Sequence, residues 1–167
     1  MTRRAVQVLV PPLLLALLLA LVLPGAALFA QTAEPLIGVW TVDIFKSTYF
    51  TGQPPVRRVM TFEAAGDSLK FTQETTNQGF NISETIKLEY TAKIDGKDYP
   101  IKNSGLDTVA LRKIDATTYE RIGKIKGTAT ETASMKLSNR NRTLTIETKG
   151  TTDTGAEYAR TEVFNKQ

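Results

Sequence analysis

The chain contains no cysteine and no histidine in 167 residues. The first absence removes disulfides, thiolate nucleophiles, zinc–thiolate sites and iron–sulfur clusters. The second removes the Ser-His-Asp triad, imidazole metal ligation and a proximal haem histidine. Carboxylate, lysine, tyrosine and serine chemistry survive, but no nucleophile–base signature is present. No catalytic residue, metal site or cofactor is therefore expected. Acid is also missing from residues 1–30, which hold 22 of the 69 apolar residues. Residues 31–167 are only about one-third apolar and carry 19 basic against 17 acidic residues. The pI of about 9.3 thus owes much to Arg3 and Arg4, and a nucleic-acid partner is not expected. Arg57-Arg58 and Arg140-Asn141-Arg142 read as solvated turn charge, because no aromatic stacking array accompanies them.

The first thirty residues read as an address. Met1-Thr2-Arg3-Arg4 is a short basic start, Leu13 to Leu23 is continuously apolar, and Pro24-Gly25 precedes small residues ending at Ala30. That order is the pattern of a secretory signal peptide. Cleavage near Ala30 is expected, with Ala27 as the alternative. An uncleaved anchor is the rival reading, since Val8 to Ala30 is long enough to span a bilayer. Pro11, Pro12, Pro24 and Gly25 speak against a good spanning helix. The expectation is a signal peptide at 1–30, a single domain at 31–167, and a secreted or periplasmic protein without stable membrane insertion, acting as a monomer.

Residues 31–167 hold 23 threonines, an excess suited to a pleated, half-exposed surface. Short alternating runs recur every eight to twelve residues, separated by Gly, Asn and Asp clusters, which is a strand-and-turn pattern. Strands are expected at 36–43, 57–64, 68–76, 82–94, 97–101, 107–114, 118–126, 128–137, 143–151 and 156–165. The run at 82–94 alternates most clearly, with Ile82, Ile86, Leu88, Tyr90, Ala92 and Ile94 on one face. Its length exceeds that of a usual strand, so a bend or bulge is expected within it. Asp95-Gly96 is expected to close a tight hairpin, and Pro100 to sit at a strand boundary. The fold class predicted is all-β: a single antiparallel up-and-down barrel of about 8–10 strands. A sandwich is the alternative, and the modest apolar content favours a barrel with a partly polar lumen.

Gly38-Val39-Trp40 opens the first strand and resembles the Gly-x-Trp signature of lipocalins and fatty-acid-binding proteins, the calycin superfamily. Asp43-Ile44-Phe45-Lys46-Ser47, Tyr90 through Pro100, and Lys149-Gly150-Thr151 resemble segments of small secreted bacterial lipocalin-like proteins. The resemblance spans most of residues 34–167. It implies a barrel, with Trp40 closing the base, Arg160 from the last strand packed over it, and a small apolar or amphipathic ligand.

Alternation gives candidate ligand-binding residues. Phe62, Phe71, Ile86, Leu88 and Tyr90, with Met60 and Ile94, would form apolar wall. Arg112, Arg121 and Arg160 would form a cationic lumen able to hold a carboxylate, as buried arginines do in the fatty-acid-binding relatives. The inward face of 107–114 is ambiguous, so Arg112 stays open. Each arginine has an alternative partner in Glu84, Glu120 or Glu162. Glu84, if inward and desolvated, is a candidate general base. Three functions follow. The first is a secreted binder of a small hydrophobic or amphipathic molecule in the lumen. The second is a filled barrel acting as an envelope or interaction module, favoured by a lumen too small for a ligand. The third is a cofactor-free isomerase or cyclase using Tyr and Glu.

Overall fold

The computed structural model describes residues 34–51, 53–78, 83–152 and 154–167. The expected signal peptide and Ile82 lie outside the described residues. Ten strands follow in order: β1 (Gly38–Tyr49), β2 (Arg57–Ala65), β3 (Ser68–Gln78), β4 (Ser83–Ala92) and β5 (Asp95–Lys102), then β6 (Thr108–Lys113), β7 (Thr118–Ile125), β8 (Thr128–Ser138), β9 (Thr143–Thr151) and β10 (Glu157–Lys166). Each pairs antiparallel with its sequence neighbour, and β10 returns to β1, so the meander closes into a barrel. This is the single antiparallel up-and-down barrel expected. Closure removes the unpaired edges that an open meander of this length would expose.

Alternation drives the wall. On β8, Glu131, Ala133, Met135 and Leu137 are buried while Thr132, Ser134 and Lys136 are exposed. The apolar set of one strand meets that of the next: Trp40 opposes Met60, Phe62 opposes Phe71, and Phe71 opposes Tyr90. Directly opposed residues share a face, so these side chains all fill the interior. The rings of Phe62 and Phe71 lie 4.8 Å apart, and those of Phe71 and Tyr90 4.7 Å apart. Such aromatic pairs contribute about 0.5–1.5 kcal/mol beyond their burial.

Two local expectations are corrected, the first in part. The β3–β4 pairing runs unbroken from Leu69↔Ala92 to Gln78↔Ser83, so no bulge lies within it; the expected run over 82–94 instead breaks after Ala92 and bends at Ile94. The irregularities fall instead in β1 between Asp43 and Thr48, at the start of β5, and in β8 at Thr130, opposite Gly123 and Lys124. Asp95-Gly96 does mark the reversal: β4 and β5 pair antiparallel as Glu89↔Lys102 and Tyr90↔Ile101, a register centred on Asp95 and Gly96. Gly96 has a φ of 75° and the Lys97 N–H donates to Asp95 Oδ1 at 3.0 Å, and both residues also belong to β5, where the register shifts against β6. Pro100 likewise lies inside β5. The β4–β5 seam is short, comprising Glu89↔Lys102 and Tyr90↔Ile101, and a proline without an N–H suits so sparse a ladder.

The base of the barrel is closed by the segment before β1. Leu36 is buried there, and the Trp40 indole N–H donates to its carbonyl at 2.8 Å. Lys166 lies over the indole, Nζ 5.0 Å from the ring centroid, and donates to the Pro35 carbonyl at 3.0 Å. Gly38 makes this possible. Its φ is 137°, and a Cβ on it would fall 2.5 Å from Lys166 Cε. Arg160 is not over Trp40; it pairs opposite Tyr49, at the far end of β1. The cation expected from the last strand is therefore supplied by Lys166, because the β1–β10 register sets Trp40 opposite Lys166.

Candidate functional site

Above the aromatic layer, five charged side chains enter the interior from four strands: Arg58 (β2), Arg121 (β7), Glu131 (β8), and Arg160 and Glu162 (β10). They alternate in sign along one chain. Arg58 Nη1 donates to Glu162 Oε1, and Arg160 Nε to Glu162 Oε2 at 3.1 Å. Arg160 Nη2 then lies 3.5 Å from Glu131 Oε2, and Arg121 Nη2 donates to Glu131 Oε1. Two tyrosines complete it. Tyr49 O–H donates to Glu162 Oε1 at 2.9 Å, and Tyr158 O–H to Glu131 Oε2 at 2.7 Å. Glu131 and Glu162 are both buried. An unpaired carboxylate at such depth would be costly, and this set of donors offsets that cost.

The electrostatics follow from that packing. Burial pushes the Glu131 carboxyl up, but Arg121, Tyr158 and Arg160 outweigh it and hold the carboxyl below its ordinary value. Desolvation pushes Tyr90 and Tyr158 up to about 12, as it does Tyr49 with help from Glu162. The tyrosines therefore remain donors throughout the neutral range.

Gly150 positions Tyr158. The two residues are opposed across β9 and β10, and a Cβ on Gly150 would sit 2.6 Å from the Tyr158 ring and 2.8 Å from the Thr130 carbonyl. Without that side chain the Tyr158 ring packs close to Gly150 and its hydroxyl reaches Glu131. Glu131 and Tyr158 also line an open cleft of about 620 Å³ at this end of the barrel, with Phe50, Thr132 and Lys149 among its other walls. Beneath them, a second cavity of about 20 Å³ is bounded by Met60, Phe71, Met135 and Ile146 below and by Arg121 and Arg160 above.

The arginines expected to converge do so in part. Arg121 and Arg160 meet on Glu131. Arg112 does not join them, because Leu111 opposes Arg121 and Arg112 opposes Glu120. Arg112 thus lies on the outer surface, Nε 2.7 Å from Glu120. The run Val109-Ala110-Leu111 is apolar on both faces, so alternation could not decide this. Arg58, read as solvated turn charge, turns inward instead. The usable signal was its parity with Met60 and Phe62, just as Glu131 shares a face with Ala133, Met135 and Leu137.

Of the apolar candidates, Phe62, Phe71 and Tyr90 are buried and Leu88 partly so. They fill the interior rather than line a large cavity. Ile86 is 43% exposed, beyond the short β4–β5 seam. Glu84 is exposed as well, so it lacks the burial that a desolvated general base requires. Among the described residues, no cluster of three or more acidic side chains could hold a metal ion.

No protein-family model matches the sequence, and no curated protein does. Among solved structures, a zebrafish ileal bile-acid-binding protein complexed with cholic acid is similar at 13% identity and a TM-score of 0.49. The match covers 80% of this chain and 99% of that one. Closure of the barrel is read from the strand pairing and is independent of that likeness.

Proposed function

We propose that this is an exported binding protein that takes a small amphipathic molecule with an anionic head at the open end of its barrel. The observation that carries the reading is the charge of the buried layer. Three guanidiniums face two carboxylates there, which leaves one positive charge beneath a cleft of about 620 Å³. The head group would meet Arg160 and Arg121 past Tyr158 and Glu131, and the apolar part would lie along the cleft beside Phe50. Cleft volumes of roughly 300–1,000 Å³ suit small organic ligands.

Titration of the purified protein with fluorescent fatty acids and neutral sterols tests this. Saturable binding of the acids, weakened by Arg160→Met, is expected; absence of saturable binding to folded protein would overturn it. Export is tested separately by mass spectrometry of the native N-terminus. A chain beginning near Gln31 is expected, and retained Met1 or Arg3 would refute cleavage.

One observation favours a second reading. A deep-lumen cavity of about 20 Å³ is far below the size of an amphipathic ligand, which suits a filled barrel acting as an interaction module. Failure of every probe in the titration would favour that reading.

A further inference from the structure

The cleft has two sides, and strand register separates them. Glu131, Gly150 and Tyr158 are directly opposed across β8, β9 and β10 and form its inward-facing row. The neighbouring row, Thr132, Lys149 and Ala159, is opposed in the same way, and strand alternation turns it outward. Phe50 extends this outer row. Its N–H donates to the Ala159 carbonyl at 3.2 Å, which continues the register of Thr48↔Thr161 and Tyr49↔Arg160. Both rows line the cleft of about 620 Å³.

Along the outer row the side chains leave a trough. Ala159 carries only a methyl group between Phe50 and Lys149, and Gly150 beside Lys149 carries no side chain at all. Phe50 is 69% exposed. Phe50 and Lys149 stand two strand spacings apart, about 10 Å, with Ala159 as the floor between them.

Charge singles out Lys149. Among the described residues it makes no ion pair, whereas Lys70, Lys93, Lys102 and Lys124 each lie against a carboxylate. It is also the cation that lines the cleft. Arg121 and Arg160 bound the small inner cavity instead, where Glu131 and Glu162 already engage them. Glu157 lines the cleft too, but it opposes Thr151 and leaves Lys149 unpaired. An uncommitted ammonium on one bank and an exposed phenyl ring on the other fit a molecule with one anionic and one apolar end.

We infer that Lys149 is a head-group contact of this cleft and Phe50 its apolar contact. The ligand is then a carboxylate whose apolar body spans roughly 10 Å and crosses the outer wall over Ala159. This rests on the reading that the cleft takes an amphipathic anion, and it gives the head group a contact outside the buried layer. Because Lys149 is exposed, its attraction for the carboxylate is screened by salt.

The experiment titrates the folded protein and its variants with a dansyl-labelled medium-chain carboxylic acid and with the methyl ester of that acid. The parent should bind the acid more tightly than the ester. Lys149→Met should weaken acid binding about tenfold and leave the ester unchanged, since only the acid loses a charge-assisted bond. Lys149→Arg should restore the preference. Acid binding should fall with added salt in the parent and not in Lys149→Met. Ala159→Leu, which fills the trough floor, should weaken acid and ester alike. Circular dichroism and urea midpoints establish that each variant is folded. Acid affinity undiminished in Lys149→Met, or an equal loss for acid and ester there, would overturn the assignment. Acid binding weakened by Arg160→Met but by neither Lys149→Met nor Ala159→Leu removes this contact and leaves the amphipathic-ligand reading standing. Absence of saturable binding to the folded parent overturns both.

Discussion

Lys166 covers the Trp40 indole, its Nζ 5.0 Å from the ring centroid, while Arg160 sits at the opposite end of the barrel on Glu131 and Glu162. The two cations of the last strand therefore have separable tasks, one closing the base and one joining the buried charges.

Substitution distinguishes them. Lys166→Ala should shift the emission of Trp40, the sole tryptophan, and cost about 1 kcal/mol from the lost cation–π contact. Arg160→Ala should leave the emission unchanged. It should nevertheless cost more, on the order of 3 kcal/mol, because Glu131 and Glu162 each lose a buried partner. Fluorescence spectra and urea unfolding of both variants check this; a shift of Trp40 emission in Arg160→Ala would contradict the assignment.

Gly150→Ala should displace Tyr158, since its Cβ would fall 2.6 Å from Tyr158 Cζ and Oη while the backbone carbonyl oxygen of Thr130, at 2.8 Å, blocks the other side. A destabilisation of about 1–3 kcal/mol is expected from the forced shift. The Tyr158 hydroxyl should then titrate below about 12, as it loses burial and Glu131. Absorbance titration of the variant against the parent reads both consequences.

Acid should weaken the fold through Glu131. Its folded-state pKa is lowered from 4.5, so the stability it contributes is present above that value and is lost as pH falls through the folded pKa. Urea midpoints should drop on acidification below about pH 4.5. In Glu131→Gln that part of the pH dependence should flatten, although the variant starts from a lower stability. An unchanged slope would show that other carboxylates govern acid unfolding.

Alkali should act through the tyrosines with the opposite sense. Tyr49, Tyr90 and Tyr158 are raised from 10.0 to about 12, chiefly because burial opposes their charged forms. Their contribution is complete below pH 10 and is lost as pH rises through the folded values. These three should thus ionise late in an absorbance titration, and together with unfolding; Tyr99 is raised as well, by desolvation and its bond to Asp95. Early ionisation of all five would place these hydroxyls in water.

The strand map was largely legible because alternation and turn residues are local properties. The runs at 118–126, 128–137 and 143–151 correspond closely to β7, β8 and β9. The buried layer was legible only in fragments. Arg121 and Arg160 stood on recognisable faces, whereas Arg58 resembled surface charge beside Arg57. Arg112 could not be oriented from Val109-Ala110-Leu111, where both faces are buried. Glu131 was a single acid in a threonine-rich strand, and nothing in its neighbourhood along the chain marks it as the partner of two arginines.

By itself the sequence determined the strand class, the turns and the excluded chemistry, since these depend on side-chain type and on spacings of a few residues. Absence of cysteine and histidine removes thiolate and imidazole sites whatever the fold. Only tertiary structure decided that Lys166 rather than Arg160 meets Trp40, that five charges share one interior layer, and that the deep lumen is nearly filled, with a cavity of about 20 Å³. Those facts depend on barrel closure and on the register of strands far apart in sequence, with the β1 irregularity between Asp43 and Thr48 setting the register of the closing pair.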